Sequence, residues 1–257
     1  RSTLMRSSAA SDVYKRQGEK LGSFWGYTFA GVWQEDDVNA PFVDANGQTN
    51  GKTNGEVYKV KPGNSKYVDV NKDGVYNDAD QGIIGCGQPT FNWGWNNTFN
   101  YKNFDFSFFV VGFHGFDIYN ATHQMGYNLI KSQQMAGVTP MRELLNRWTP
   151  TNTNTDIPGF VKGGTENKNF FSTRFVENGS FIKMKSITLG YTLPEATCRS
   201  LGINNLRVYA SVQNPFHITK YSGLDPEATM GSPLVQGVDW GAYPNSRNYL
   251  IGLNFSF

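Results

Sequence analysis

Several features that mark common protein classes are scarce in this chain of 257 residues. Charged residues make up only 17% of it, and 23 basic against 21 acidic side chains leave no global field that would attract nucleic acid. Its two cysteines, Cys86 and Cys198, are too few for a disulfide framework. Its three histidines, His114, His123 and His217, lack the spacing of metal ligands. The composition therefore gives no support to a nucleic-acid-binding, disulfide-rich or zinc-dependent protein.

Long hydrophobic runs are also missing, since none reaches the roughly 18 residues that a transmembrane helix needs. A membrane is not excluded, because the strands of a membrane β-barrel alternate apolar with polar residues and keep the mean hydropathy low. The mean hydropathy of −0.47 fits a barrel and a soluble β-protein alike. What the chain has in abundance is 19 Phe, 13 Tyr, 6 Trp and 28 Gly, a mixture that favours strands and turns.

The segment 91–101 shows the clearest alternation. Aromatic side chains share one parity and small or polar side chains the other, with Asn97 as the exception on the apolar side. The aromatic set is Phe91, Trp93, Trp95, Phe99 and Tyr101, and the polar set is Asn92, Gly94, Asn96, Thr98 and Asn100. Because successive side chains of a strand point to opposite faces, the pattern predicts a strand with one aromatic face. The length suits a tilted strand that crosses a bilayer, which needs about 9 to 11 residues.

Five further segments carry related alternation. They are 21–33 (with Trp25, Tyr27, Phe29 and Trp33 on one face), 104–113, 173–193, 206–219 and 245–257. Only Lys102 and Asn103 separate the segment 91–101 from the next one, so these two segments predict an antiparallel hairpin. In 173–193 the apolar parity changes between Met184 and Ile187, which predicts a β-bulge near Lys185.

The lengths of the connections indicate a topology. Residues 34–87, 114–172 and 220–244 form long connections, whereas 102–103 is tight and 194–205 is of medium length. Outer-membrane barrels have short periplasmic turns and longer extracellular loops. The order therefore predicts an all-β chain, namely a segment of an antiparallel transmembrane β-barrel, about its last six strands, with long extracellular loops.

Residues 1–17 stand apart from this pattern. They lack apolar periodicity and are rich in Ser and Arg, and they resemble translated adapter sequence, so we expect a non-native or short disordered leader. The barrel segment is then 18–257. The chain begins with Arg1 and shows no signal peptide, from which we expect that the natural N-terminus is missing.

Six stretches and the C-terminal strand carry a family resemblance. The stretches are GEKLGSFWGYTFAGVWQ (18–34), KYVDVNKDGVYNDADQGIIG (66–85), QPTFNWGWNNTFNYKNFDFSFFVVGFHGFDIYN (88–120), NRWTPTNTNTDIP (146–158), RFVENGSFIKMKSITLGYTLP (174–194) and LRVYASVQNPFHITKYSGLDPE (206–227). Together, and in this order, they resemble the SusC/RagA family of TonB-dependent outer-membrane receptors.

This resemblance implies a barrel of about 22 strands that is closed by an N-terminal plug domain and lies in the cell outer membrane. It implies TonB-dependent import of oligosaccharides or peptides, a transport function without enzymatic activity. A SusD-like lipoprotein would cover the extracellular mouth, and TonB would bind through the missing N-terminal part. Outer-membrane lipid and the barrel assembly machinery would be the other partners.

The C-terminal strand resembles the signal by which the outer-membrane assembly machinery recognises its substrates. Gly252, Phe255 and Phe257 match that signal, while Leu250 stands where a polar residue is usual. An unpaired strand edge would act as the template for pairing. The alternative is a buried terminal strand in a soluble sheet.

One loop approximates a calcium-binding loop of twelve residues. Asp69, Asn71 and Asp73 occupy positions 1, 3 and 5, Val75 would offer its carbonyl at position 7, and Asp80 stands at position 12. No apolar helices flank the loop, and its last ligand is Asp rather than Glu. The alternative is an Asx-rich loop whose side chains bond its own backbone.

Trp33, Trp148 and Trp240 lie on or near the long connections, where their rings could stack on a sugar ligand. The alternatives are an aromatic girdle or packing between loops. No acid/base pair, nucleophile or phosphate loop stands out, which argues against an enzyme.

Two other classes remain open: a soluble, calcium-stabilised β-sandwich that binds carbohydrate, and a secreted hydrolase. A barrel segment exposes its apolar parity along one surface, whereas a sandwich buries that parity between two sheets. The exposure of the aromatic residues therefore separates these hypotheses.

Overall fold

A computed structural model describes residues 18–127, 141–159, 170–200, 202–227 and 236–256, so the expected leader at 1–17 lies outside the described residues. The described parts of Arg1–Gly87, Tyr119–Val176 and Met230–Gly241 form a first unit. The described parts of Gln88–Ile118, Glu177–Thr229 and Ala242–Phe257 form a second unit.

The described residues are mainly strands, with short helices between them. The strands are β1 (Ser23–Tyr27), β2 (Phe29–Val32), β3 (Pro41–Val43), β4 (Thr49–Thr53), β5 (Ser65–Tyr67), β6 (Gln81–Cys86), β7 (Phe91–Tyr101), β8 (Phe104–His114), β9 (Asp117–Asn120), β10 (Val176–Asn178), β11 (Phe181–Thr192), β12 (Asn205–Gln213), β13 (His217–Thr219), β14 (Val238–Asp239) and β15 (Asn248–Ser256). The α-helices are α1 (Glu35–Asn39), α2 (Asn54–Tyr58), α3 (Ala121–Tyr127) and α4 (Glu195–Ser200). Three short 3-10 helices cover Asp78–Asp80, Arg142–Asn146 and Thr173–Phe175. The predicted all-β class is confirmed.

The second unit is built on one antiparallel sheet. Its strands follow the order β15-β12-β11-β8-β7, and β13 pairs with the first residues of β11. The predicted hairpin is confirmed, because β7 and β8 pair along their whole length and meet at Tyr101 and Phe104, on either side of a two-residue turn. β7, β8 and β11 have 11, 11 and 12 residues, lengths that suit strands tilted across a bilayer.

A β-bulge interrupts β11 where the sequence predicts one. The pairing with β8 shifts between Met184 and Ser186, which leaves Lys185 as the extra residue. Two successive residues thereby oppose one residue of the partner strand, and the alternation changes face. Lys183 consequently points to the same face of the sheet as Thr188, although residues 183 and 188 differ in parity.

The first unit consists of small sheets. β1 pairs with β6, β2 with β5 and β3 with β4, all antiparallel, and β14 pairs in parallel with the end of β9. The prediction of one long strand across 21–33 is wrong, because this segment forms the two short strands β1 and β2. Tyr27 and Trp33 are buried there instead of lying on an exposed apolar face.

Each unit has its own apolar core. In the first, Phe24 and Tyr119 pack with Ala121, Phe175 and Val238. In the second, Phe116, Ile118, Phe181 and Tyr221 pack together with the partly buried Phe113. The second core lies at the end of the sheet away from the β7–β8 turn, where the rings of Phe113 and Phe181 stack with centroids 5.1 Å apart.

Candidate functional site

One face of the main sheet, called here the apolar face, is apolar and exposed across all five long strands. A transverse row of directly paired residues runs from Phe99 through Phe106, Leu189 and Ala210 to Ile251. Leu189 is 50% exposed although β11 is paired on both sides, and Ile251 is 81% exposed. Other exposed large side chains of this face on the long strands are Phe91, Trp95, Tyr101, Phe104, Tyr249, Leu253 and Phe255, and Ile218 of β13 adds to them. An exposed apolar surface that extends over five strands marks a contact with another apolar phase.

The opposite face, called here the polar face, carries hydroxyl and charged groups. A neighbouring transverse row consists of Thr98, Ser107, Thr188 and Ser211, and the hydroxyl oxygens of Thr188 and Ser211 are 2.9 Å apart. The two faces of the same strands therefore differ as the lipid and lumen faces of a barrel wall do.

A buried ion cluster anchors two loop segments to β11. Lys183 is 1% exposed. Its ammonium donates to Asp225 Oδ2 at 2.9 Å and to Glu227 Oε2 at 2.8 Å, while Lys185 pairs with the other oxygen of Glu227. Asn245 donates from its backbone to Asp225 Oδ2 at 3.1 Å and from its amide to Glu227 Oε2 at 3.0 Å. The cluster therefore holds both stems of the segment between residues 227 and 245.

The electrostatics of this cluster follow from burial and from the two lysines. Burial alone would raise the pKa of Asp225, but the hydrogen bond from Lys183 and the backbone donors hold that pKa below its usual value. Burial alone would likewise raise the pKa of Glu227, but hydrogen bonds from Lys183 and Lys185 hold that pKa below its usual value. Sequence patterns did not identify this cluster, because its members lie about 42 residues apart in the chain.

The predicted calcium loop is closed by its own hydrogen bonds. Asp69 accepts from the backbone N–H groups of residues 72 and 74, at 2.6 and 2.8 Å. Asp73 Oδ2 accepts from Asn71 Nδ2 at 2.9 Å, and its Oδ1 accepts from Val75 N at 2.8 Å. Both oxygens of the buried Asp80 accept backbone N–H groups at 2.9 Å. The geometry favours the Asx-rich alternative, and calcium binding at Asp69, Asn71, Asp73, Val75 and Asp80 stays a prediction.

Tyrosines pack beside this loop. Tyr58 donates its hydroxyl to Asp69 Oδ2 at 2.8 Å, and burial together with this hydrogen bond raises the pKa of Tyr58. Burial raises the pKa of Tyr76 to about 12. The rings of Tyr58 and Tyr76 stack with centroids 5.2 Å apart. These phenols stay protonated at neutral pH and act as packing and hydrogen-bonding groups.

The three tryptophans whose rings could stack on a sugar ligand differ in exposure. Trp33 is only 3% exposed and its ring contacts Tyr58, so it does not present a face to a ligand, and packing describes it better. Trp148 is half-buried, donates from Nε1 to Gln34 Oε1 at 2.9 Å and covers Gly63. Trp240 is 47% exposed and keeps a free ring surface.

The residues of the predicted assembly signal lie on the outermost strand of the sheet. β15 pairs with β12 on one side, and among the described strands none pairs with its other side. Phe255 belongs to the apolar face and Gly252 to the polar face, while Phe257 lies outside the described residues. Leu250 lies on the polar face together with Gly252. It stands at the position where the assembly signal usually has a polar residue.

Within the described ranges, no group of three or more His, Cys, Asp or Glu side chains is arranged to hold a metal ion. Neither Cys86 nor Cys198 forms a disulfide. None of the helices described is long and apolar enough to cross a membrane.

Comparisons with known proteins identify one class of relative. The TonB-dependent receptor P3 of Formosa agariphila is 35% identical over 248 residues, which cover 94% of this chain and 23% of that protein. The TonB-dependent receptor SusC of Bacteroides thetaiotaomicron is 31% identical over 199 residues, 77% of this chain and 18% of that protein.

A solved structure has the same fold. The RagAB peptide importer in its open-open state matches with a TM-score of 0.65 and 23% identity, over 91% of this chain and 22% of the solved chain. No protein-family model matches the sequence. The chain thus spans less than a quarter of the length of each protein described here.

Proposed function

Because the chain is homologous to TonB-dependent receptors, SusC among them, over most of its length, we propose that it forms part of the wall of an outer-membrane barrel that imports nutrients. The observation that carries the proposal is the exposed apolar face of the main sheet, backed by a polar face on the same strands. In a bilayer the apolar face contacts acyl chains and the polar face lines the lumen.

The ends of the sheet support an orientation for this wall. The β7–β8 turn and the connection with α4 leave from one end, and we assign that end to the periplasm. The long connections leave from the other end and are extracellular in this proposal. The edges of β7 and β15 that have no partner among the described strands then pair with further strands of the same barrel.

The relatives support a proposal about the substrate and the partners. We propose oligosaccharides or peptides as cargo, a SusD-like lipoprotein as the extracellular partner and TonB as the source of energy through a part of the receptor outside this chain. The relatives are named as receptors or as part of an importer, and we propose no enzymatic activity. Trp240 is the exposed ring that remains as a candidate for contact with cargo.

The main alternative is a soluble, calcium-stabilised β-sandwich that binds carbohydrate. Such a domain buries one face of each sheet against the other. The exposure of Leu189, of Ile251 and of the rings of β7 argues against that arrangement, and the hydrogen bonds within the loop at Asp69–Asp80 argue against a built calcium site.

Cysteine labelling of the intact receptor that carries this chain tests the proposal. Asn46→Cys places a thiol in the exposed β3–β4 connection, and Lys102→Cys places one in the β7–β8 turn, both with Cys86 and Cys198 replaced by alanine. A membrane-impermeant maleimide applied to whole cells should label residue 46, and should label residue 102 only after the outer membrane is permeabilised. Equal labelling of both, or recovery of the receptor in the soluble fraction, contradicts the proposal.

Growth tests then identify the cargo. Deletion of the receptor should abolish growth on one class of nutrient, either glycans or peptides. Deletion of the neighbouring SusD-like lipoprotein should reduce growth on the same class only. A receptor whose loss affects neither class contradicts the proposed cargo but leaves the labelling result standing.

A further inference from the structure

A second transverse row on the polar face combines large side chains with glycines. Asp105 of β8 pairs with Gly190 of β11, Gly190 pairs with Tyr209 of β12, and Tyr209 pairs with Gly252 of β15. Four strands therefore meet in one row in which a large side chain alternates with a glycine. Glycine weakens the interior of a strand, so two glycines in one row call for a packing reason.

The neighbour of Gly252 supplies that reason. A Cβ atom added at Gly252 would lie 2.4 Å from Cζ and 2.5 Å from the hydroxyl oxygen of Tyr209. The hydroxyl end of the Tyr209 ring thus lies over Gly252 of β15, in the space that any other side chain at position 252 would occupy. Only glycine leaves this space open.

Gly190 is covered in the same way by an ion pair. Arg207 reaches from β12 across β11 to Asp105 on β8, with Nε donating to Oδ1 at 2.9 Å and a second nitrogen donating to Oδ2. A Cβ atom at Gly190 would lie 2.3 Å from Asp105 Oδ1 and 2.5 Å from Arg207. This two-point carboxylate–guanidinium contact is directional, so it fixes the path of Arg207.

The ion pair and the ring are joined. The Arg207 guanidinium carbon lies 5.0 Å from the centroid of the Tyr209 ring, within the range of a cation–π contact. Asp105, Arg207 and Tyr209 therefore form a continuous strut across β8, β11 and β12 that ends over Gly252 of β15.

The strut has a consequence for strand register. A slip of β15 by one residue turns its apolar side chains to the polar face. A slip by two residues keeps the faces correct, so alternation alone does not prevent it. It would, however, place Leu250 or Asn254 beneath the Tyr209 ring instead of Gly252.

We propose that the Asp105–Arg207–Tyr209 strut, seated on Gly252, fixes the register of the C-terminal strand when the barrel assembles. Tyr209 and Arg207 are positioning residues in this proposal, and Gly252 is required because it receives the ring. The proposal rests on the proposed function, since it concerns a strand that pairs within an outer-membrane barrel. It differs from the view that the assembly machinery alone requires Gly252, because it makes the requirement depend on Tyr209.

Cross-strand disulfides in the intact receptor measure the register directly. Val208→Cys with Leu253→Cys reports the native pairing, and Val208→Cys with Ile251→Cys reports the two-residue slip that brings Leu250 beneath the Tyr209 ring, both with Cys86 and Cys198 replaced by alanine. Directly opposite residues lie close enough to bond, whereas diagonal neighbours are about 7 to 8 Å apart.

The parent receptor should form the native disulfide in the outer membrane. Gly252→Ala should lower the yield of native disulfide by about tenfold, because the ring and the new methyl group overlap. Gly252→Ala combined with Tyr209→Ala should restore it to within about twofold, because the ring is then absent. Tyr209→Phe keeps the ring and should retain the parent register.

Gly82→Ala is the matched control, because no atom lies within 4 Å of a Cβ added at that strand glycine. The proposal is overturned if Gly252→Ala keeps the parent yield, or if the double variant stays as defective as the single one. The latter result would leave recognition by the assembly machinery as the reason for Gly252. A parent receptor that never reaches the outer membrane would instead refute the proposed function, so the two failures are distinguishable.

Discussion

Replacing Leu189 by arginine separates a lipid-facing sheet from a water-facing one. Leu189 lies on the apolar face of β11, between Phe106 and Ala210 on the neighbouring strands, and is 50% exposed. Thr188, the preceding residue, lies on the polar face between Ser107 and Ser211. Leu189→Arg and Thr188→Arg therefore introduce the same side chain at adjacent positions on opposite faces of one strand.

The expected magnitudes differ because the two faces meet different solvents. Arginine on the lipid face of a barrel costs about 2 to 4 kcal/mol near the bilayer midplane, and less near the interface. A cost of 2 kcal/mol lowers the folding equilibrium constant by roughly 30-fold, since about 1.4 kcal/mol corresponds to a factor of ten. In water, an exposed surface substitution changes stability by about 0.5 kcal/mol or less. Thr188→Arg loses one hydroxyl–hydroxyl contact, at a cost of about 0.5 to 1.5 kcal/mol.

The assay is the urea midpoint for unfolding of the intact receptor from lipid vesicles, together with the amount of heat-modifiable receptor in the outer membrane. Leu189→Arg should lower both more than Thr188→Arg does. Equal effects of the two variants, or a neutral Leu189→Arg beside a damaging Thr188→Arg, would show that the apolar face does not contact lipid.

Four further predictions concern the buried ion cluster, its pH dependence, the exposed tryptophan and the predicted calcium loop. Lys183→Met should destabilise the receptor by about 3 to 5 kcal/mol in thermal or urea unfolding, because Asp225 loses its buried partner, and adding Asp225→Asn should recover much of this loss. Folding lowers the pKa values of Asp225 and Glu227, so their ionised forms contribute fully to stability above the unfolded pKa values of about 4, and this contribution is lost as pH falls through the folded pKa values. Unfolding midpoints measured from about pH 7 to pH 3 should therefore fall less steeply in Asp225→Asn than in the parent receptor. Trp240→Ala should reduce uptake of cargo several-fold without changing the amount of assembled receptor, and a loss of assembly would assign the ring to packing instead. Millimolar calcium should leave the protease resistance of the loop unchanged, whereas protection that saturates below about 1 mM and disappears in Asp80→Asn would support a calcium site.

The main sheet could be predicted because the alternation of apolar and polar residues within each strand shows which of its faces meets an apolar environment. In β7 each ring is followed by a small or polar residue, and this period of two fixes the strand and its faces without knowledge of any partner. The bulge at Lys185 was also predictable, since a change of parity within a strand has few other causes.

The segment 21–33 shows where this reasoning fails. Alternating rings indicate that one face meets an apolar phase, but they do not distinguish lipid from the protein's own interior. Tyr27 stacks on Phe170 with ring centroids 4.4 Å apart, a contact between residues more than 140 positions apart in the chain. Long-range pairing of this kind decides whether a ring is buried or exposed.

The same limitation applies to single residues whose role depends on a neighbouring strand. A glycine at position 252 fits an end-of-chain signal when it is considered alone, whereas its neighbour in the sheet is Tyr209, 43 positions earlier and visible only once β12 and β15 are paired. Lys183 similarly resembles a solvated lysine until Asp225 and Glu227 are placed beside it. Strand identity is therefore encoded locally in this chain, while the features that fix register and anchor loops are encoded in pairs of residues. Substituting one member of such a pair reveals its role only when the other member is changed as well.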